Sequence, residues 1–285
     1  MLIKLFTLYV YLQTAVCGCG ADRRTSDFER LRKDYTVQVQ RIGRLDTRIK
    51  ESSGLARASD STFWTHPDSG SDPELYLFNR RGELLKTVPL PLPNRDWEDI
   101  AQDDGGNLYI GDFGNNANSR RDLRVFQVRQ DAMTPQAIIT FRFGDQTAFP
   151  PSGQERHFDL EGFFFRSDSL HLFTKSRGRK GITRRYTLPA RMGDYTLAPQ
   201  EELRVKTPIT AADGAPDGSA YALLGYGRLY LFQPNTPYVS FTGKRYCLPL
   251  ARTGQAEAIL YLSATQLLIS NENGKLYLVS LEPKK

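Results

Sequence analysis

The chain has 285 residues, of which 40% are apolar, 11% aromatic and 25% charged, a composition that excludes a disordered or collagen-like chain and is typical of one or two globular domains. A chain of this length buries about three quarters of the surface that its unfolded form exposes, so its core needs neither a metal nor a disulfide. The net charge of +6 is small for this length, and no nucleic-acid partner is predicted.

The first residues are organised like a signal peptide. Lys4 precedes an apolar run that ends at Leu12, and such a run is too short to span a bilayer. Val16, Cys17 and Gly18 precede Cys19 in an arrangement that resembles a bacterial lipobox. Residues 1–18 are therefore predicted to be a lipoprotein signal peptide, with Cys19 as the lipidation site. An ordinary secretory signal is the alternative, and both predict an extracytoplasmic protein of the cell envelope.

The segment that follows is predicted to be a tether. Residues 20–34 are charged and nearly free of large apolar side chains, so residues 19–34 are assigned to the lipidated cysteine and its tether. Residues 35–285 are then one domain, which is expected to be a monomer. If Cys19 is acylated, Cys247 is the only other thiol of the mature chain, and a disulfide inside the domain is excluded by count.

An acidic residue recurs at the start of five strand-like runs, at intervals of 44 to 63 residues, which is the period range of propeller blades. These acids are Glu51, Glu98, Glu161, Asp213 and Glu257. A polar residue follows each acid after 13 to 15 residues, and the five partners are His66, Asp112, Lys175, Tyr226 and Asn271.

A cluster of turn-forming residues lies midway between each acid and its partner, for example Asp104-Gly105-Gly106. A central turn predicts an antiparallel hairpin, in which residues equidistant from the turn face each other. Each acid is therefore expected beside its polar partner, with all five pairs at one end of the fold.

The remainder of each repeat supplies further runs rich in aromatic and branched residues, which predicts four strands per unit. The fifth unit has only three strands, and residues 35–43, YTVQVQRIG, are an additional strand before the first unit. The prediction is an all-β fold, a β-propeller with four-stranded antiparallel blades whose ring is closed by the N-terminal strand. Five blades are favoured, and a sixth is possible only within the long second unit.

Seven segments in this order resemble the β-propellers of the esterase-like phytase family, many of which are bacterial envelope lipoproteins. They are ESSGL (51–55), HPDSG (66–70), NRDWEDIA (94–101), GDFGNN (111–116), LEGFFF (160–165), ITAADGAPDG (209–218) and QAEAI (255–259). The resemblance covers residues 45–280 and implies a propeller with an extracytoplasmic site at one channel mouth. A more distant likeness is to calcium-dependent lactonase propellers, which hold their metal in an acidic channel.

Five carboxylates that converge on one channel need a partner that balances their negative charge, because like charges at close range raise one another's pKa. One solution is a bound Ca²⁺, which prefers carboxylate and amide oxygens. The metal ligands predicted for it are Glu98, Asp112, Asn115, Asp213 and Glu257. The alternative is structural, with each acid accepting backbone N–H bonds from its own hairpin or from the next blade.

The partner positions differ chemically from blade to blade, which is typical of a site. His66, Lys175 and Asp112 are the predicted catalytic residues. The predicted ligand-binding residues are Glu51, Trp64, Trp97, Glu161, Tyr226 and Asn271. A phosphoester or lactone hydrolase with a small anionic ligand or acidic glycan is one predicted function, and a non-catalytic binding module of the envelope is the alternative. The segment Asp68–Asp72 has an incomplete calcium-loop spacing and is interpreted as a turn.

Overall fold

The computed structural model describes residues 8–9, 11–12, 19, 28–49, 51–178, 181–205, 207–250 and 252–285. Most of the predicted signal peptide therefore lies outside the described residues. Among the residues that are described, no helix combines the length and apolar character needed to cross a membrane.

The strands follow one another in chain order. The N-terminal segment contains β1 (Glu29–Arg30), the helix α1 (Leu31–Asp34) and β2 (Tyr35–Arg44). Blade 1 consists of β3 (Ser52–Arg57), β4 (Thr62–Pro67), β5 (Glu74–Asn79) and β6 (Leu84–Pro89). Blade 2 consists of β7 (Trp97–Gln102), β8 (Asn107–Asp112), β9 (Leu123–Arg129) and β10 (Thr134–Phe143).

Blade 3 contains β11 (Asp159–Arg166), β12 (Ser169–Lys175), β13 (Ile182–Pro189) and β15 (Glu201–Arg204), with β14 (Gly193–Leu197) between the last two in sequence. Blade 4 consists of β16 (Ile209–Gly214), β17 (Tyr221–Gly225), β18 (Arg228–Gln233) and β19 (Lys244–Pro249). Blade 5 is formed by β20 (Ala256–Ser263), β21 (Gln266–Asn271) and β22 (Lys275–Pro283) together with β2.

The five sheets form a closed ring. The first strand of each blade contacts the first strand of the next, and β20 of the last blade contacts β3 of the first, so these five strands line the central channel. Strand β2 pairs antiparallel with β22 and supplies the outer strand of blade 5. The predicted five-bladed propeller, closed by the N-terminal strand, is confirmed. The long second interval contains the ten-residue β10 and the loop 144–158 rather than a sixth blade.

The core lies between neighbouring blades because alternate side chains of a strand face opposite sides of its sheet. In β18, Leu229 and Leu231 pack in the cluster shared with blade 5. Tyr230 and Phe232 of the same strand pack in the cluster shared with blade 3. Two blades carry a further parallel strand, β14 on β10 and β1 on β19.

The N-terminal segment corrects two sequence predictions. Cys19 forms a disulfide with Cys247 of blade 4, so the disulfide excluded by count is present. The disulfide uses the sulfur atom that lipidation of Cys19 would need, so the two states of Cys19 exclude each other, and lipidation stays a prediction. The tether prediction is wrong for residues 28–34, because Leu31 is buried in the core and the ring of Phe28 lies 5.1 Å from that of Tyr230.

Candidate functional site

The inner strand of each blade contains a β-bulge near one end of the channel. The extra residue of each bulge lies opposite the end of the second strand, and the five residues are Ser53, Glu98, Glu161, Thr210 and Glu257. A bulge re-aims the side chain of the extra residue. Three of the predicted acids therefore occupy equivalent positions at one mouth of the channel, whereas Glu51 and Asp213 lie two residues before and three residues after the bulge position.

The predicted pairing holds in blades 2 and 5, where Asp112 and Asn271 end the second strand opposite the bulge. In blade 3 the residue opposite the bulge is Thr174, and Lys175 lies one position further along the strand, although its Nζ contacts Glu161. In blades 1 and 4 the equivalent residues are Pro67 and Gly225, rather than His66 and Tyr226.

The mouth encloses a cavity of about 270 Å³, called here the mouth cavity. Its lining residues are Glu51, Ser52, Ser53, Asp68, Glu98, Asn116, Glu161, Lys175, Arg177, Tyr226, Glu257, Glu272 and Asn273. Six of these residues are acidic and two are basic, so the cavity carries an excess of negative charge.

Three carboxyl groups converge at one side of the mouth cavity. Each of Asp68, Asp96 and Glu98 offers an oxygen atom, and the three atoms lie within 4.8 Å of one another. Glu98 is 6% exposed, and its carboxyl group has neither a hydrogen bond nor an ion pair within the described part of the chain. Gly114 leaves room for the group, since a Cβ there would collide with the carboxyl groups of Asp96 and Glu98.

The environment of this cluster opposes its negative charge. Burial raises the pKa of Asp96 to about 6, and the nearby charge of Asp68 adds to the rise. Burial also raises the pKa of Glu98 well above its ordinary value, with further contributions from Glu161 and Asp68. Carboxylate oxygens without a partner are ligands suited to a hard divalent cation such as Ca²⁺, which would remove this penalty.

Two cations face the acids from blade 3. Lys175 lies with its Nζ 2.9 Å from Oε1 of Glu161 and 3.3 Å from the hydroxyl of Tyr226. Arg177 is bound to Asp159, with Nε 2.6 Å from Oδ2. Burial alone would lower the pKa of Lys175, but Glu161 and the other acids hold it well above its ordinary value. Lys175 is therefore a charged donor at the cavity wall.

Glu257 and Glu272 form a second acidic pair in the mouth cavity. The two side chains share a hydrogen bond, and burial raises the pKa of both. The amide Nε2 of Gln255 donates to Oε1 of Glu272 at 2.5 Å and fixes that carboxyl group. A carboxyl pair in which one member donates to the other holds one shared proton, as an acid–base group requires.

Asp112 does not belong to the mouth cavity. Its side chain is fully buried and ion-paired with Arg124, Nε to Oδ2 2.7 Å, and with Arg120, Nη2 to Oδ1 3.4 Å. It also accepts a bond from the backbone N–H of Asp96. Its oxygen atoms accept hydrogen bonds from donors within the protein, so the structure contradicts its assignment as a metal ligand and catalytic residue. Its contact with Asp96 makes it a support of the cation cluster.

His66, Trp64 and Trp97 are also core residues rather than site residues. The imidazole of His66 is fully buried, bonds through Nδ1 to the backbone O of Pro67 and lies 5.8 Å from the ring of Trp97. Burial lowers the pKa of His66. Both tryptophans lie in the hydrophobic cluster between blades 1 and 2. The predicted roles of His66 in catalysis and of the tryptophans in ligand contact are not supported by these positions.

Asp213 confirms the structural alternative. Its carboxyl group accepts the backbone N–H of Gly214 at 2.8 Å and that of Tyr261, in the next blade, at 2.6 Å. Asp99 makes the same connection from blade 2 to the backbone N–H of Phe163 in blade 3. Asp213 therefore joins blades and is not a metal ligand.

The predicted amide ligands are likewise internal. Asn115 accepts the backbone N–H groups of Ser119 and Arg120 and is 2% exposed. Asn271, also 2% exposed, donates to the backbone O of Thr253. In both cases the next residue in the chain, Asn116 or Glu272, lines the mouth cavity instead.

Six of the predicted site residues lie together in the mouth cavity, namely Glu51, Glu98, Glu161, Lys175, Tyr226 and Glu257. Four further site residues are not predicted from the sequence, namely Asp68, Asp96, Arg177 and Glu272. The sequence predicts only a turn at Asp68. Each missed residue lies one or two positions from an anchor or partner residue, so a search that allowed an offset of two would have found them.

Comparisons with known proteins show the fold alone. No family model matches the chain, and no curated protein matches it. The PQQ-bound aldose sugar dehydrogenase of Streptomyces coelicolor is 11% identical, with a TM-score of 0.51 over 87% of this chain and 99% of that one. Virginiamycin B lyase of Staphylococcus aureus is 11% identical, with a TM-score of 0.48 over 87% and 99%. The likeness to the dehydrogenase supports the fold alone, and the resemblance to the phytase-like family stays a prediction.

Proposed function

We propose that the mouth cavity binds a divalent cation, with Ca²⁺ as the expected ion, and that it hydrolyses small esters or lactones. The observation that carries the proposal is the convergence of Asp68, Asp96 and Glu98 within 4.8 Å beside a wall that holds a charged lysine. Unlike Asp213, whose carboxyl group is occupied by backbone donors, Glu98 has no partner among the described residues.

The charge of the cavity selects among the substrate classes. The six acidic lining residues outnumber the two basic ones by four, and a divalent cation together with the proton shared by Glu257 and Glu272 offsets only three of these charges. A phosphoester would bring further negative charge, whereas a neutral ester or lactone brings none until its oxyanion develops. The acid excess therefore favours a neutral ester or lactone over a phosphoester or an acidic glycan.

The residues of the cavity supply distinct chemical roles. Asp68, Asp96 and Glu98 would hold the cation, which supplies polarisation of a carbonyl oxygen when bound. Lys175, in contact with Tyr226, donates to the oxyanion that develops at the substrate. Glu272, oriented by Gln255, takes the proton of the attacking water, and the pair that it forms with Glu257 returns a proton to the leaving oxygen.

The disulfide supports export of the domain. Disulfides persist in oxidising compartments and are rare in the cytosol, and Cys19–Cys247 joins residues far apart in the chain. We therefore propose that the domain lies outside the cytoplasm.

Titration of Ca²⁺ by isothermal calorimetry tests cation binding. We expect saturable heat with the wild type and at least a tenfold weaker Kd with Glu98→Gln, because the substitution removes the unpartnered carboxylate. Glu51→Gln is the matched control, since Glu51 lines the same cavity but lies outside the cluster. Absence of saturable heat in the wild type would refute the cation site.

Hydrolysis is tested separately on a panel of neutral esters, lactones and phosphoesters with and without Ca²⁺. We expect Ca²⁺-dependent turnover of a neutral ester or lactone that is lost in Lys175→Met. Saturable Ca²⁺ binding without turnover of any member would favour the alternative, a binding module that uses the same mouth.

A further inference from the structure

We infer that the junction between blades 3 and 4 contains a buried binding site for a small inorganic anion, built around Arg228. This site is separate from the mouth cavity and independent of the function proposed for it. Arg228 is the first residue of β18 and is 1% exposed.

No described residue balances the charge of the Arg228 guanidinium. Nε and Nη1 are buried without a hydrogen-bond partner, and no ion pair of this side chain occurs among the described residues. Other buried arginines of the fold are matched: Arg185 is bound to Glu201 at 2.8 Å, and Arg120 to Asp112 at 3.4 Å. Among the buried cations of the described chain, Arg228 thus differs in having no acidic partner.

The guanidinium group of an arginine carries a permanent positive charge in proteins, so the charge needs a partner. A buried, unpaired charge costs several kcal/mol relative to a paired one, and each unmatched buried donor adds a desolvation penalty. An anion that enters the structure supplies both the missing charge and the missing acceptors.

The surroundings of Arg228 supply a second donor. Alternation along β18 places Arg228 on the same face as Tyr230 and Phe232, toward the apolar cluster shared with blade 3. Arg228 pairs with Gly225 across the two strands. Gly225 lies beside Thr207, because a Cβ added at Gly225 would be 2.5 Å from the Thr207 hydroxyl. Thr207 is 3% exposed, and its hydroxyl also lacks a partner.

The burial of both residues restricts the ligand to a small anion, such as chloride, sulfate or phosphate. The site adjoins the turn Tyr226-Gly227 that connects β17 to β18. The bound anion therefore stabilises the turn that positions Tyr226 in the mouth cavity.

Thermal unfolding at constant ionic strength tests the inference. The reference buffer contains the bulky anion gluconate, which is replaced by millimolar chloride, sulfate or phosphate. A ligand that binds only the folded state should raise the Tm of the wild type by about 3 °C for each tenfold increase above its Kd. General salting-in or salting-out effects require higher concentrations. We expect Arg228→Met to lose this dependence and to be at least as stable as the wild type in gluconate.

Arg185→Met is the matched control, because Arg185 is a buried arginine that already has a carboxylate partner. We expect it to lower the Tm in every buffer and to keep the wild-type dependence on the anion. A wild-type Tm that does not change with any of the three anions overturns the inference, as does an equal dependence in Arg228→Met.

Crystals grown in bromide provide a measurement that does not depend on the variant. We expect an anomalous peak within hydrogen-bonding distance of the Arg228 guanidinium. A peak without any effect of millimolar anion on the Tm would indicate an adventitious ion only and would also overturn the inference.

Discussion

Glu98 and Asp112 belong to the same hairpin of blade 2, and only their surroundings separate their roles. Asp112 is buried against two arginines and a backbone N–H, which use its oxygen atoms. Glu98 faces the mouth cavity without a partner among the described residues. The sequence distinguishes the two poorly, because both are acids at the ends of strands, and the tertiary contacts decide which one is available to a ligand.

Asp112→Asn should lower the free energy of unfolding by about 3 kcal/mol, because it leaves the charges of Arg120 and Arg124 without their buried partner. The asparagine keeps an oxygen that can accept the bond from the backbone of Asp96, so the Kd for Ca²⁺ should change by less than about threefold. Denaturant unfolding and calorimetry measure the two effects.

Asp60→Asn is the control for this experiment, since its side chain is fully exposed and lies 3.8 Å from Arg57. It should be nearly neutral in both measurements. If Asp112→Asn abolished Ca²⁺ binding while the stability stayed at the wild-type level, Asp112 would be a ligand after all.

At the scale of the strand, the inner strands of neighbouring blades approach so closely that some positions have no room for a side chain. A Cβ on Gly162 would lie 2.6 Å from the backbone C of Ala211 and 2.7 Å from the backbone N of Ala212 in the next blade. Gly162 directly follows the bulge residue Glu161. The close approach therefore helps to hold the bulge and its carboxyl group at the mouth.

Gly162→Ala should destabilise the fold by about 1 to 3 kcal/mol, since two backbones must move apart to admit the methyl group. Chemical denaturation measures the loss. Gly153→Ala is the control, because a Cβ at Gly153 meets nothing within 4 Å. Equal stability of the two variants would show that the blades tolerate the extra volume.

The N-terminal segment acts as a clasp, defined here as Cys19 together with residues 28–44. It is bonded to blade 4 through the disulfide and β1 and to blade 5 through β2. Tyr246 of β19 also donates to Asp34 at 2.7 Å. The clasp thus connects the blades on both sides of the junction between blades 4 and 5.

Cys247→Ser should lower the free energy of unfolding by about 2 to 5 kcal/mol, because the disulfide closes a long loop and restricts the unfolded chain. Denaturant unfolding with and without reductant measures this effect. Reductant should destabilise the wild type and leave Cys247→Ser unchanged. Insensitivity of the wild type to reductant would mean that the thiols are not joined in the folded protein.

Over the whole molecule, raised carboxyl pKa values outweigh the histidines in the response to pH above about 6.5, because an ordinary histidine is already half deprotonated at that pH. Burial raises the pKa of Asp213 to about 7 and that of Glu161 to about 8. The folded protein therefore binds more protons than the unfolded chain in this range, and its stability must fall as the pH rises.

We expect the free energy of unfolding, measured by denaturant titration without Ca²⁺, to fall by roughly 1 kcal/mol or more between about pH 6.5 and 8.5. Ca²⁺ should restore stability at the upper end more than at the lower end, because protons compete for Asp96 and Glu98. Stability that rises with pH over this interval would contradict the raised pKa values.

Local sequence features are enough to predict the five-bladed ring and its closure by the N-terminal strand, because turn residues, strand periodicity and repeat length are local properties. They also indicate Glu98, Glu161, Lys175 and Glu257, which occupy bulge or strand-end positions. The folded structure is needed to show that the loop residues Asp68 and Asp96 lie at the site, that His66 and Asp112 are buried, and that Cys19 is joined to Cys247. Those outcomes depend on contacts between distant parts of the chain, which the closing of the ring creates and no local pattern encodes.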